Sequence, residues 1–559
     1  MKLFPSEFKW FNEVWKSNSF FRLALISLLF LMLETLIFYP VFSTGFLSDD
    51  YSFLSLMKQK GWSVLLMPEE QHFMPVMLFV MNILFRSFGI NALPFHIFQA
   101  WLHVANAVLI VVVAEKILHY FHSSFRQRHF ISVFSGLFFL LNPYQTEAVS
   151  WIAAIGYPLA MIFSLVSLLF FIDWLKRNRT RSLIGVLVFF FLACFSKEYA
   201  LVLPGILILI FFFKINENKG KERKIALVRL LKISALMGLM MVMYFFIRFL
   251  AIHQFIGQYG ADTHLNVNLS LLLSGFLAYH AKFFLFYRLL PKEVTMFLHY
   301  PLHHPLVALL IVAGILSLLF MFRKTIRKAL DVKLLRLALL FYGCFLVGLI
   351  PFLNLETSFL GEVQSDRYGY FATAFFGLML GMGAFSLVKL RVPAVAFLLV
   401  LFVGMGIQTY RLNQLWLESS RLTENIVKEI GSVKVTGQQM FLIGVPDTYR
   451  GVYAFRGSFY QQLLLADGLK DIDIQVLSYS AWSNATDEIA LQRSDSTITL
   501  TQLGSAKFVA SKSQMGNYGF TYLNISSSTQ KLVFHKVQSK DFIIYLIQGD
   551  GRLENLPMY

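Results

Sequence analysis

The sequence is short of charge and short of cysteine. Only 14% of its 559 residues are Asp, Glu, Lys or Arg, where a soluble domain of average composition carries about 25%. That shortage excludes a wholly water-exposed chain. The two cysteines, Cys194 and Cys344, fall in apolar runs. They exclude a disulfide framework, give no metal-ligand spacing, and read as small buried hydrophobes. No repeat with a period of about 20 to 50 residues recurs, which excludes a solenoid. Basic residues are scattered over short loops, so the net charge of +17 does not point to nucleic acid.

Apolar residues fill the gap, at 57% of the chain. Several windows run close to the roughly 20 residues needed to cross a bilayer core. The chain therefore reads as a polytopic α-helical membrane protein. The first apolar run, about 20 to 41, is too long for a cleaved signal and lacks a small-residue cleavage site.

Charge orients the spans, because Lys and Arg gather on cytoplasmic loops. Lys2, Lys9, Lys16 and Arg22 place the N-terminus inside. Spans follow at about 94–115, 129–142, 152–174, 182–195, 200–213, 229–251, 304–322, 335–353, 368–387 and 392–410, giving about eleven. Two further apolar stretches, about 73–85 and 269–290, would invert the basic loops if they crossed. They read as interfacial helices in outer loops. Hydropathy falls near residue 410, which divides a transmembrane region (1–411) from an outer C-terminal domain (412–559). Strand-like runs "QMFLIGV", "IDIQVLSY", "TITLTQL", "KLVFHKV" and "FIIYLIQ", with the helical "FYQQLLLADGL" between the first two, suggest a small α/β or α+β domain that begins βαβ-like.

The polar residues collect in the outer loops. Asp49, Asp50, Glu69, Glu70 and His72 lie in the first, Glu147 in the second, and Lys197 with Glu198 in the third. His280, Lys282, Arg288 and Lys292 lie in the second interfacial stretch and its flank. Glu356, Glu362, Asp366, Arg367 and Tyr368 lie before the tenth span. Ionisable groups near a membrane usually face a cavity or one another. Acids alone would suit a metal or a base, and cations alone a phosphate. Together they suit a reaction that takes a group from a lipid phosphate. Each also has a plainer reading. Asp49 and Asp50 can be solvated loop residues, Lys197 can pair with Glu198, and Arg367 can reach lipid headgroups. His96, His103 and Asn106 share a face of the second span and read as interhelical hydrogen bonding.

Taken in order, "SDDYSFL", "MPVMLFVMNILFRSFGINALPFHIFQAWLHVANAVL", "NPYQTEAVSWIAA", "SKEYALVLPGIL" and "DRYGYFATAFFGLML" resemble the GT-C class of membrane glycosyltransferases. Within it they resemble the protein O-mannosyltransferases, above all the transmembrane O-mannosyltransferases with TPR repeats and their bacterial relatives. The matching pieces span most of the first 390 residues. The TPR repeats themselves are lacking, and the C-terminal domain reads as strand-rich instead.

The resemblance implies a polyprenyl-phosphate-linked sugar as donor and a protein or glycan hydroxyl as acceptor, with inverting transfer at the outer face. It implies a general base from the acidic pair: Asp49 aligns most naturally with the family's first acid, and Asp50 stays a candidate. Lys197, Lys282, Arg288 and Arg367 become candidates for the donor phosphate. His72, Glu147, Glu198 and Tyr368 become candidates for orienting sugar or acceptor. The scheme needs no metal, although a carboxylate-bound divalent ion is compatible with it. A transporter or flippase of lipid-linked saccharides is the alternative, but the polar groups sit at one side rather than the midplane. The cysteine count, the missing repeats and the compact outer domain favour a bacterial plasma membrane.

Overall fold

The computed structural model describes residues 19–66, 72–121, 123–215, 220–253, 269–286, 332–353, 363–388, 392–433, 439–465, 473–494, 496–509, 514–515, 520–534 and 542–556, with a few positions between 306 and 317. Among them, eight helical segments are long and apolar enough to cross a membrane: Ser19–Ile37, Leu93–Tyr120, Ile152–Arg177, Glu198–Ile215, Glu222–Ile252, Val332–Phe352, Gln364–Ser386 and Val395–Ser432. The chain is a polytopic helical membrane protein with a β-rich C-terminal part.

The helices are α1 (Ser19–Ile37), α2 (Asp49–Lys60), α3 (Pro75–Phe88), α4 (Leu93–Tyr120), α5 (Phe125–Leu141), α6 (Thr146–Ser150), α7 (Gly156–Arg177), α8 (Thr180–Ser196), α9 (Leu203–Ile215), α10 (Gly220–Ile252), α11 (Leu269–Leu285), α12 (Val332–Leu349), α13 (Tyr370–Val388), α14 (Val392–Ser432) and α15 (Phe459–Leu465). Proline in the first turn starts α3 and α4, where its missing N–H costs nothing. A Ser124–Gln127 capping box starts α5. Helices α5 and α8 have 17 residues each, about 26 Å at 1.5 Å per residue, near the lower limit for a span. They pack along α4 and α7 respectively. The expected span at 304–322 lies almost wholly outside the described residues.

Polar side chains inside the bundle stitch helices together. His103 of α4 bonds the Tyr370 hydroxyl through Nδ1 at 2.9 Å and meets the Leu140 carbonyl through Nε2 at 3.3 Å. Asn106 donates to the Pro158 carbonyl at 2.9 Å. For His103 and Asn106 these are the interhelical bonds expected of that face.

Helix α14 continues without a break through residue 411 to Ser432. Its Leu412 and Trp416 sit in the core of the bundle, and its Leu422, Ile426 and Ile430 in the core of the C-terminal sheets. The strands are β1 (Gln439–Tyr449), β2 (Val452–Tyr453), β3 (Ile474–Trp482), β4 (Ile489–Ser494), β5 (Thr497–Gln502), β6 (Lys507–Val509), β7 (Gln514–Met515), β8 (Phe520–Asn524), β9 (Thr529–Phe534), β10 (Phe542–Ile547) and β11 (Leu553–Asn555). One sheet runs β11-β10-β1-β3-β6, with β2 folded back on the end of β1. β1 is parallel to both β10 and β3, and α15 lies on the crossover from β1 to β3. The apolar run "MFLIGV" in β1 is buried throughout, as a central parallel strand requires. The second sheet is antiparallel, β4-β5-β9-β8-β7.

Candidate active site

Asp49 and Asp50 open α2, where carboxylates favour the positive end of the helix dipole. The residue before them, Ser48, has φ 52° and ψ −129°. A side chain in that region costs roughly 1–3 kcal/mol and persists only where its surroundings enforce it. Here the Ser48 N–H donates to the Ala454 carbonyl at 2.9 Å, across from the C-terminal sheets.

This turn sends the two acids to different places. Asp50 is fully buried. Its Oδ2 accepts from the Leu47 N–H at 2.9 Å and its Oδ1 from the Ala153 N–H at 2.6 Å. Both oxygens are spent on the backbone, so Asp50 holds the loop at 152–154 against α2. Asp49 instead lines a cavity of about 170 Å³, together with His72, Lys197, Arg367 and Arg456. Trp151, Tyr157 and Tyr453 supply aromatic walls. Burial pushes the Asp49 carboxyl above its ordinary value, against the opposing pull of Arg456, Arg367 and Lys197.

Gly156 lets two of these loops meet. A Cβ there would lie 2.7 Å from the Ser196 carbonyl, so only glycine allows the 196–202 turn to pass so close and bring Lys197 to the cavity.

The cations differ in how they are held. Arg367 forms a buried ion pair with Glu147, whose Oε2 also accepts from the Arg367 N–H at 2.7 Å. Its guanidinium further donates to the Gln364 carbonyl at 3.0 Å, the Tyr453 hydroxyl at 2.8 Å and the Tyr368 hydroxyl at 2.9 Å. Glu198 pairs with Arg248 and accepts from His72 Nδ1 at 2.9 Å. The charge of Lys197, and then burial, hold His72 below its ordinary range. Lys197 itself contacts the Met74 sulfur at 3.3 Å and lies 5.5 Å from the centre of the Tyr157 ring.

Of the residues singled out from sequence, Asp49, His72, Lys197 and Arg367 meet at the cavity. Glu147 and Glu198 stand behind it and fix Arg367 and His72. Asp50 lies outside it because the backbone takes both its oxygens. Lys282 lies outside it too, buried with Asp366 at 2.5 Å and the Ser365 hydroxyl at 3.1 Å. Tyr368 touches Arg367 but does not line the cavity. Glu69, Glu70, Arg288, Lys292, Glu356 and Glu362 fall outside the described residues.

Sequence reading passed over Trp151, Tyr157, Arg248, Tyr453 and Arg456. Trp151 ends "TEAVSW" and Tyr157 follows shortly after it, so both are visible beside Glu147. Tyr453 and Arg456 lie in "YAFRG", inside the C-terminal part, with no local mark of a site. Among the described residues no three His, Cys, Asp or Glu side chains converge as metal ligands.

No protein-family model and no curated protein matches the sequence. Among solved structures, the chain is similar to ArnT from Cupriavidus metallidurans bound to undecaprenyl phosphate, at 15% identity and a TM-score of 0.34. The alignment covers 75% of this chain and 82% of that one. A likeness that loose carries no correspondence between individual residues.

Proposed function

We propose that the chain is a membrane glycosyltransferase of the GT-C type, which moves a sugar from a polyprenyl-phosphate donor to an acceptor hydroxyl. One observation carries this reading: a single carboxylate, Asp49, faces a cavity with Lys197, Arg367 and Arg456 at one end of a helical bundle. Asp49 accepts the acceptor's hydroxyl proton. The oxygen then forms a bond to the anomeric carbon, with inversion, as the bond from that carbon to the lipid phosphate breaks. The leaving phosphate gains charge, and Lys197 and Arg456, which meet no carboxylate at ion-pair distance among the described residues, offset it. The raised proton affinity of Asp49 suits it as a base closer to neutral pH than an ordinary aspartate. His72 and the aromatic walls orient the sugar or the protein or glycan acceptor.

The loop charges support a cytoplasmic N-terminus and a cavity and C-terminal domain at the outer face of a bacterial plasma membrane. The test is reconstitution in liposomes with radiolabelled undecaprenyl-phosphate sugars and a membrane extract as acceptor. The wild-type protein should release sugar from the lipid, and Asp49→Asn should not. A lipid-linked sugar that crosses the bilayer uncleaved would make the protein a transporter instead.

A further inference from the structure

Four cationic side chains lie in or just behind the cavity, and two are already neutralised. Arg367 is paired with Glu147 and Arg248 with Glu198. A buried pair of this kind spends its Coulomb energy inside the protein and has little left for a ligand. Two cations remain that have no carboxylate within ion-pair distance among the described residues: Lys197, from the bundle, and Arg456, from the C-terminal domain. Both line the cavity that contains Asp49.

Arg456 has five N–H donors. Its one protein acceptor among the described residues is Gln364 Oε1, at 3.0 Å from Nη1, and its guanidinium lies 4.6 Å from the centre of the Tyr453 ring. Asp447 and Asp49 act on it through their charge from beyond ion-pair range. Its backbone is strained, with φ 28° ahead of Gly457 at φ 77°. Strain of that kind at a charged residue is kept where the surroundings over-determine the turn, and several bonds do so here. The Ala454 and Phe455 N–H groups donate to the carbonyls of Asp447 and Pro446, each at 3.0 Å, and the Ser52 and Ser458 hydroxyls meet at 2.9 Å. The turn is therefore bolted both to β1 and to α2, with Arg456 at the cavity.

We propose that Lys197 and Arg456 form a two-cation phosphate site that bridges the helical bundle and the C-terminal domain. This rests on the glycosyltransfer reading only for the identity of the phosphate, which there is the donor's lipid phosphate. The chemistry recognised is a phosphate group with at least two free oxygens or one free edge, gripped by a point charge on one side and a planar fork on the other. The C-terminal domain is then part of the catalytic cavity rather than a separate acceptor module.

The test measures binding of undecaprenyl phosphate to the full-length protein in nanodiscs of neutral lipid, with inorganic phosphate and with phosphatidylglycerol nanodiscs as separate arms. Arg456→Gln and Lys197→Gln should each weaken binding by about tenfold or more, the weight of a charge-assisted hydrogen bond. Arg456→Lys should recover part of it. Arg450→Gln removes a charge from the neighbouring β1–β2 turn, outside the cavity, where Arg450 pairs with exposed Glu418 at 2.8 Å, and should leave affinity nearly unchanged. Displacement by inorganic phosphate through the same two residues would assign the site to a free phosphate. Displacement only by phosphatidylglycerol would assign it to a bulk lipid headgroup.

If the wild type binds undecaprenyl phosphate and a folded Arg456→Gln or Lys197→Gln binds it equally well, the bridge is wrong and the glycosyltransfer reading survives. If binding depends on both cations but no sugar is transferred, the bridge survives and that reading falls. If the wild type binds none of the three ligands, both fall.

Discussion

The Ser48 N–H donates to the carbonyl oxygen of Ala454 at 2.9 Å, across a gap of about four hundred residues in sequence. That bond fastens the strained turn that aims Asp49 to the strained turn that aims Arg456. The acid and the Arg456 guanidinium are therefore set by one clamp, so the pose of Asp49 depends on the C-terminal domain being in place.

The acidic pair should separate on mutation. Asp49→Asn leaves every backbone bond intact and should lower transfer by about a hundred- to ten-thousand-fold, the usual cost of losing a general base, with no loss of melting temperature. Asp50→Asn turns an NH₂ group toward the N–H of Leu47 or Ala153. It should destabilise the detergent-solubilised protein by roughly 1–3 kcal/mol, the cost of one unsatisfied buried donor. Full stability of Asp50→Asn in a thermal melt would contradict the bonding described above.

Activity should fall on acidification sooner than an ordinary aspartate allows. Burial raises the Asp49 carboxyl, and the base works only when ionised. The acid limb of the rate should therefore lie above about pH 4, the usual aspartate range. Arg456 lowers that proton affinity, so Arg456→Gln should move the limb to higher pH. Stability runs the other way. A carboxyl raised in the folded state contributes stability that is present below its unfolded pKa and is lost as pH rises through its folded pKa. Asp49→Asn should flatten that dependence in melts recorded across pH.

Glu147 and Arg367 should behave as one unit. Removing either leaves a buried charge without its partner, which costs about 3–5 kcal/mol. Glu147→Gln and Arg367→Gln should each lower stability by that order, and the double variant by much less than their sum. A double-mutant cycle that shows simple additivity would mean the pair is not coupled.

Ser48→Gly should fold normally, because glycine accepts a positive φ without strain. Ser48→Val should not hold the turn, because a β-branched residue resists that region. The expected readout is near-normal transfer for the first variant and, for the second, a large loss with loosened contacts to residue 454, seen by hydrogen exchange.

The C-terminal domain should lie outside the cytoplasm. Ala485 is exposed between β3 and β4. Ala485→Cys should react with an impermeant thiol reagent in intact cells, or in spheroplasts where an outer membrane intervenes. Labelling only after the inner membrane is broken would reverse the topology.

Much of this architecture is local and therefore written in the sequence. A run of apolar residues near the length of a bilayer core specifies a spanning helix by itself, since lipid leaves its backbone no other partner. Alternating or fully apolar short runs specify strands, and the five read from sequence are β1, β3, β5, β9 and β10. The crossover helix between β1 and β3 follows from the same pattern. The gathering of acids and bases at the outer ends of the apolar runs was legible for the same reason. Which of those groups faces the cavity was not. Asp49 and Asp50 are neighbours of the same type, and what separates them is the Ala153 N–H, 103 residues away. Arg367, Lys197 and Lys282 look alike as single letters, and only folding decides which of them meets a buried carboxylate. Arg456 lies beyond a fall in hydropathy that suggests a separate domain, yet α14 runs unbroken through that fall and delivers its turn to the bundle. Helix and strand follow from nearest-neighbour chemistry; charge pairing follows from distances in space that sequence separation does not encode.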